Sequence, residues 1–181
     1  MRTSSIFHME TAKFIRHMAW ANQEIFKKIS ELPDEALDAY LVNPQWTVRE
    51  IARHIASSAT YYGWRLLDRS AFTKEENDIW QERLHETELP PLTMKDMQVL
   101  ITRAANADAV LLAQSKLPEG VVLQEVEGQT ITRARSTLIF QSIHHATEHR
   151  AQLVDALEAC GFSKINLDEY DLWAFCHIFG E

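Results

Sequence analysis

Apolar residues recur at three- and four-residue spacing from about Met9 to Ser30, where Phe14, Ile15, Met18, Ile25, Phe26 and Ile29 share one face. That pattern predicts a first helix. "ELPDE" ends it, because a proline disfavours helical geometry in the residue before it. A second helix has a clear start in "WTVREI": Thr47 is placed to cap the amide of Glu50, Glu50 to reach back, and Trp46 and Ile51 to flank the box as a hydrophobic staple. Val48, Ile51, Ile55, Ala59, Tyr62 and Leu66 then point inward, to about Asp68.

From Ala71 to Leu92 the periodicity dissolves into "KEENDIWQERLHETELPP", too polar for a core element. This reads as a long crossover with room for a short surface helix, and such a connection usually changes which bundle helices sit side by side. A third long helix starts at Thr93, with Asp96 three residues on, and buries Met97, Leu100, Ile101, Ala104, Leu111 and Leu112; "KLPEG" closes it. The period then changes from helical to alternating. "VVLQEVEGQTITRA" is β-branched, with Glu127-Gly128 at its centre, and predicts a hairpin that must pack on the bundle or on a partner chain. The fourth long helix runs from near Ser136 to about Cys160, with Gly161 suited to the left-handed residue that closes it. The tail "INLDEYDLWAFCHIFGE" predicts a short docked helix over about Asp168 to Phe179.

The whole is an all-α chain of four main helices, most simply one domain over residues 1–181. A hydrophobic content of 46% supplies a core, and five Gly and five Pro argue against a linker-rich or fibrous chain. The net charge of -8 repels phosphate backbones, which disfavours nucleic-acid binding. No apolar run approaches membrane-spanning length, and "MRTSSIFHME" lacks the apolar core of a signal peptide. With no export signal, Cys160 and Cys176 read as free thiols in a cytoplasmic protein.

The candidate chemistry lies in histidines. In "IHHATEHRAQL", His145 and His149 stand four apart on the stripe Leu138, Ser142, His145, His149, Gln152 and Ala156, at the margin of the buried face. Two imidazoles one turn apart can share a metal ion, but such a pair on an amphipathic helix is also a common surface pattern. His144 and Glu148 form a competing pair that points further toward water. His54, beside Ile51 and Ile55, is either a core histidine bonded to a carbonyl or to Tyr61, or the third member of a set formed where the second and fourth long helices face each other. Three neutral imidazoles would leave coordination positions open, the layout of a catalytic site. His8, His17, His85 and His177 read as background, with His17 expected on a solvated face.

"WTVREIARHIASS" followed far downstream by "HHATEHRAQL" resembles the DinB/YfiT-like superfamily of metalloenzymes. The likeness covers nearly the whole chain and includes the hairpin, the Arg and Gln after the last histidine, and the tail "LDEYDLWAF". It implies a four-helix bundle with up-down-down-up connectivity, a homodimer, and a divalent metal held by His54, His145 and His149. Zinc or nickel is the expected ion, with iron and manganese also fitting imidazole ligands. Members of that group include transferases using bacillithiol or glutathione-like thiols and a mycothiol-dependent maleylpyruvate isomerase. Sulfoxide-synthase members carry a glutamate two places after the last histidine, where this chain has Ala151. The expected function is therefore a thiol-dependent S-transferase or isomerase acting on a small molecule. A hydrolase using metal-activated water, or a non-catalytic dimeric stress protein with a structural metal, stands as the alternative. Tyr61 and Glu148 are expected near the metal, with no catalytic role assigned.

Overall fold

The computed structural model describes residues 2–68, 70, 72–85, 93–126, 128–162 and 165–181, and the side chains of these except at 2–9, 81–85 and 124–126. Six α-helices and one hairpin follow in the order α1 (Arg2–Ser30), α2 (Val48–Leu66), α3 (Lys74–His85), α4 (Met97–Gln114), β1 (Val121–Val126), β2 (Gln129–Ala134), α5 (Arg135–Ala159) and α6 (Leu172–Phe179). The crossover residues 86–92, Glu127 of the hairpin turn, and the side chains of His8 and His85 lie outside the described residues.

Helices α1, α2, α4 and α5 form the bundle. Each of α1 and α2 packs on both α4 and α5, so α1 and α2 occupy opposite corners. Packing partners fix the directions. Ile25, Phe26 and Ile29 of α1 meet the start of α4 (Met97, Leu100) and the end of α5 (Leu153, Leu157). Ile15 and Met18 meet Leu111, late in α4, and Leu138 and Ile139, early in α5. Thus α1 runs antiparallel to α4 and parallel to α5. Trp46, just before α2, bonds Gln152, and the Leu66 carbonyl at the end of α2 accepts from Arg135, so α2 runs antiparallel to α5. The connectivity is up-down-down-up, and the long connection carrying α3 lets α2 and α4 lie parallel as neighbours.

The local signals explain the boundaries. Thr47 Oγ1 accepts the Glu50 amide at 3.4 Å and starts α2. Its expected reciprocal partner, the Glu50 carboxylate, lies 3.7 Å from the Arg53 guanidinium. The Thr93–Asp96 capping box forms, but it starts a short 3-10 turn at Met94–Asp96, and α4 proper begins at Met97. Gly128 (φ +77°) and Gly161 (φ +75°) take the left-handed conformations their turns require. The hairpin pairs Val121 with Ala134 through Val126 with Gln129. Val122 packs against the bundle end at Leu66, Leu111 and Leu138, which supplies the support a two-stranded ribbon needs. Helix α1 begins seven residues before the expected Met9, at Arg2.

The tail docks on α1 through aromatic contacts: Trp20 lies 5.7 Å from Phe175 and 5.9 Å from Tyr170 between ring centroids. His17 is half-buried rather than on a solvated face. Its Nε2–H donates to the Tyr170 carbonyl at 2.8 Å and its ring meets Phe175 edge-on at 5.8 Å. Burial holds its pKa below the ordinary value, with the Tyr170 carbonyl pulling the other way.

One polar layer crosses the core between its two apolar clusters. Arg150, 4% exposed, donates to Asn22 Oδ1 at 2.8 Å and to Thr147 Oγ1 at 3.0 Å. Asp108, 2% exposed, faces the same residues from α4. Desolvation pushes the Asp108 carboxyl up to about 7, opposed by Asn22 and by the Arg150 charge. Among the described residues, no helix is long and apolar enough to cross a membrane.

Candidate metal centre

The 3.6-residue period places His145 and His149 one above the other on α5, with ring centroids 4.3 Å apart. Because α2 crosses that face antiparallel, His54 meets both: its centroid lies 4.8 Å from His145 and 4.6 Å from His149. One ring nitrogen from each residue falls within 4.8 Å of the others. The Nε2 atoms of His54 and His145 are 3.0 Å apart. Metal–imidazole bonds of roughly 2.0–2.1 Å put two nitrogens about 3.3 Å apart across a tetrahedral edge, and less at a right angle. The spacing therefore fits two ligands on one ion.

The electrostatics agree with that donor set. Desolvation, and then the neighbouring His149, hold the pKa of His54 below its usual value. His145 is lowered to about 4 by desolvation, His149 and His54, with Glu148 opposing. Both rings are neutral at pH 7 and offer lone pairs, which is the form a metal requires. All three histidines are half-buried, and among the described residues no further His, Cys, Asp or Glu joins the group. The set can hold a metal ion, with coordination positions left for other ligands.

Neighbouring side chains shape the centre. The Trp46 indole stands edge-on to His54 at 5.2 Å and to His149 at 5.6 Å. Tyr62 stands edge-on to His145 at 5.8 Å, and its phenol is held protonated by burial. Gln152 Oε1 lies 2.9 Å from His149 Nδ1 and accepts the Trp46 Nε1–H at 3.0 Å. Ser57 Oγ donates to the His54 carbonyl at 3.2 Å.

Of the residues expected nearby, Tyr61 lies at the rim with Arg65 over its ring at 4.9 Å. Glu148 lies outward, 3.6 Å from His144 Nδ1, and both are largely exposed. His54 bonds neither a carbonyl nor Tyr61 through its ring; its ring partner is His145. Tyr62, Trp46 and Gln152 are the site neighbours that pattern alone assigned to core or margin. Tyr62 follows His54 by eight residues and Gln152 follows His149 by three, so helical spacing carried a signal for both. The described clefts lie elsewhere: one of about 440 Å³ includes Thr60, Trp80 and Arg103, and none of the three histidines lines it.

Fold and site together define a helical-bundle protein with a three-imidazole centre that could hold a metal ion. The family profile described as DinB family matches residues 3–174, and the chain belongs to that family. Protein DinB of Bacillus subtilis (strain 168) is similar to it, 22% identical over 164 residues that cover 90% of this chain and 92% of the relative. No solved structure matches the chain.

Proposed function

We propose that this protein is a divalent-metal-dependent enzyme that uses a low-molecular-weight thiol, as an S-transferase or isomerase, with His54, His145 and His149 as the metal ligands. The observation that carries this reading is the convergence of three half-buried imidazoles without a fourth metal-ligating side chain among the described residues. A structural site fills its coordination with protein; a catalytic one keeps a position for water or substrate. Zinc is the default ion for imidazole, nickel follows closely, and iron and manganese also fit.

A bound cation supplies the positive charge that makes a coordinated thiol lose its proton at neutral pH. The chain's own residues do the rest. His54 and His145 stay neutral at pH 7 and present Nε2 to one point. The Trp46 and Tyr62 rings pack against two sides of the imidazole cluster. The Tyr62 ring stands 5.8 Å from His145 between centroids, and its hydroxyl, protonated at pH 7, is hydrogen-bonded with Gln141. In the transferase reaction the thiolate sulfur forms a bond to the electrophilic carbon and the leaving group departs with its electron pair.

Cobalt-substituted protein tests the assignment. Added glutathione, bacillithiol or a simple thiol is expected to create a sulfur-to-cobalt charge-transfer band, which imidazoles and water cannot give. A cobalt spectrum unmoved by millimolar thiol would remove the thiol reading and put hydrolysis by metal-activated water ahead of it.

We also place the protein in the cytoplasm as a homodimer. Both cysteines are free thiols. Trp173, Ile178 and Phe179 of α6 are 85%, 57% and 53% exposed, and Val121 and Leu123 of the hairpin are 70% and 60% exposed. These apolar side chains suit a partner chain. Sedimentation as a monomer at micromolar concentration would count against the dimer.

A further inference from the structure

We propose that Gln152 is a positioning residue that fixes which nitrogen of His149 faces the metal, and that Trp46 fixes Gln152. The inference rests on reading the three histidines as the metal site, but it is drawn from hydrogen-bond chemistry alone. An indole N–H only donates, so the Gln152 atom 3.0 Å from Trp46 Nε1 must be the amide oxygen. The same oxygen lies 2.9 Å from His149 Nδ1. An oxygen there requires a donor, so Nδ1 carries the hydrogen. The lone pair of the neutral ring is then on Nε2, free for a metal. A bond to the non-ligating nitrogen is the usual means of setting tautomer and ring orientation in histidine metal sites.

The chain of constraint therefore runs from Trp46, at the entrance to α2, through one amide on α5, to the choice of donor atom on His149. It links the two ligand-bearing helices by a second bridge beside the His54–His145 contact. Without the indole, the Gln152 amide could turn its NH₂ toward Nδ1, which favours the opposite tautomer and puts a hydrogen where the metal bonds.

The test reads the tautomer and the metal separately. In metal-free protein at pH 8, two-bond ¹H–¹⁵N correlation spectra should show His149 with its hydrogen on Nδ1, the signal being assigned by its loss in His149→Ala. Cobalt affinity, measured by competition with a chromophoric chelator, should fall roughly 10–100-fold in Gln152→Leu, the range common for lost outer partners of metal-binding histidines. Gln152→Glu keeps an acceptor oxygen and should restore affinity. Trp46→Phe keeps the ring edge, removes the donor and should show a mixture of tautomers with an intermediate loss. It serves as the second variant if Gln152→Leu fails to fold. Wild-type His149 with its hydrogen on Nε2 would overturn the proposal, as would Gln152→Leu or Trp46→Phe protein that keeps both the Nδ1 hydrogen and wild-type cobalt affinity. Wild-type protein that shows the Nδ1 hydrogen but takes up no cobalt leaves the tautomer assignment standing and overturns the metal reading instead.

Discussion

Replacing Asp108 with asparagine should flatten part of the pH dependence of stability. Asp108 is 2% exposed in the polar layer with Asn22 and Arg150, and its carboxyl is raised from 3.8 to about 7, chiefly by desolvation. The stabilisation from proton uptake at this group is complete below the unfolded pKa and is lost as pH rises through about 7. Taking these two values, the folded chain gains most of a proton at this site between pH 8 and pH 6, and stability rises by an amount on the order of 1 kcal/mol. The depressed histidines act in the opposite sense. His17, His54 and His145 have pKa values below 6.5 in the folded chain, so their contribution is lost as pH falls through that region. The comparison must therefore be a difference. Urea unfolding of wild type and Asp108→Asn at pH 8, 7 and 6, without metal, cancels the histidine contribution. The gap between them should shift by an amount on the order of 1 kcal/mol in favour of wild type on going from pH 8 to pH 6. Parallel curves would show that Asp108 takes up no proton in this window, and would refute the account of the buried layer.

His149→Ala should retain helical circular dichroism but fail to hold cobalt or zinc in elemental analysis after dialysis, since the apolar clusters do not include that side chain; full occupancy would sink its assignment as a ligand. Leu111→Ala, at a fully buried position on α4, should cost roughly 3 kcal/mol in urea unfolding, and an unchanged midpoint would contradict its place in the core. Thr47→Ala removes the side chain that accepts the Glu50 amide and should cost about 1 kcal/mol by the same measurement, with no change expected if the cap is absent in solution.

The parts of this molecule legible in the sequence are those written locally. The Thr47 cap, the Gly128 turn, Gly161 and the His145–His149 stack each depend on residues a few positions apart, and each forms. The start of α1 was not legible, because Thr3, Ser4 and Ser5 are poor interior helix formers and give no reason to extend the helix past Met9. The partner of His17 is invisible for a different reason. Its carbonyl partner belongs to Tyr170, 153 residues away, and no helical period reports a tail folded back onto the bundle. The choice of Tyr62 over Tyr61 as the ring beside His145 turned on the azimuth at which α2 crosses α5, a tertiary quantity. The place of His54 near an apolar face leaves two readings open, a core histidine or a partner of His145 and His149; the family resemblance favours the second, and the rings meet in the structure.

The two ring nitrogens that meet at 3.0 Å come from residues 91 positions apart in the chain. On a ribosome, His54 emerges long before either of its companions, and α4 and the hairpin must follow before α5 can close against α2. A cation that needs the whole set can be captured only once the last bundle helix has docked. For an ion bound by all three histidines, loading would follow folding and draw on the ions the folded protein meets. Choice among ions would then rest on exchange at the assembled site, and any metal carried by purified protein would record the ions to which the folded chain was exposed.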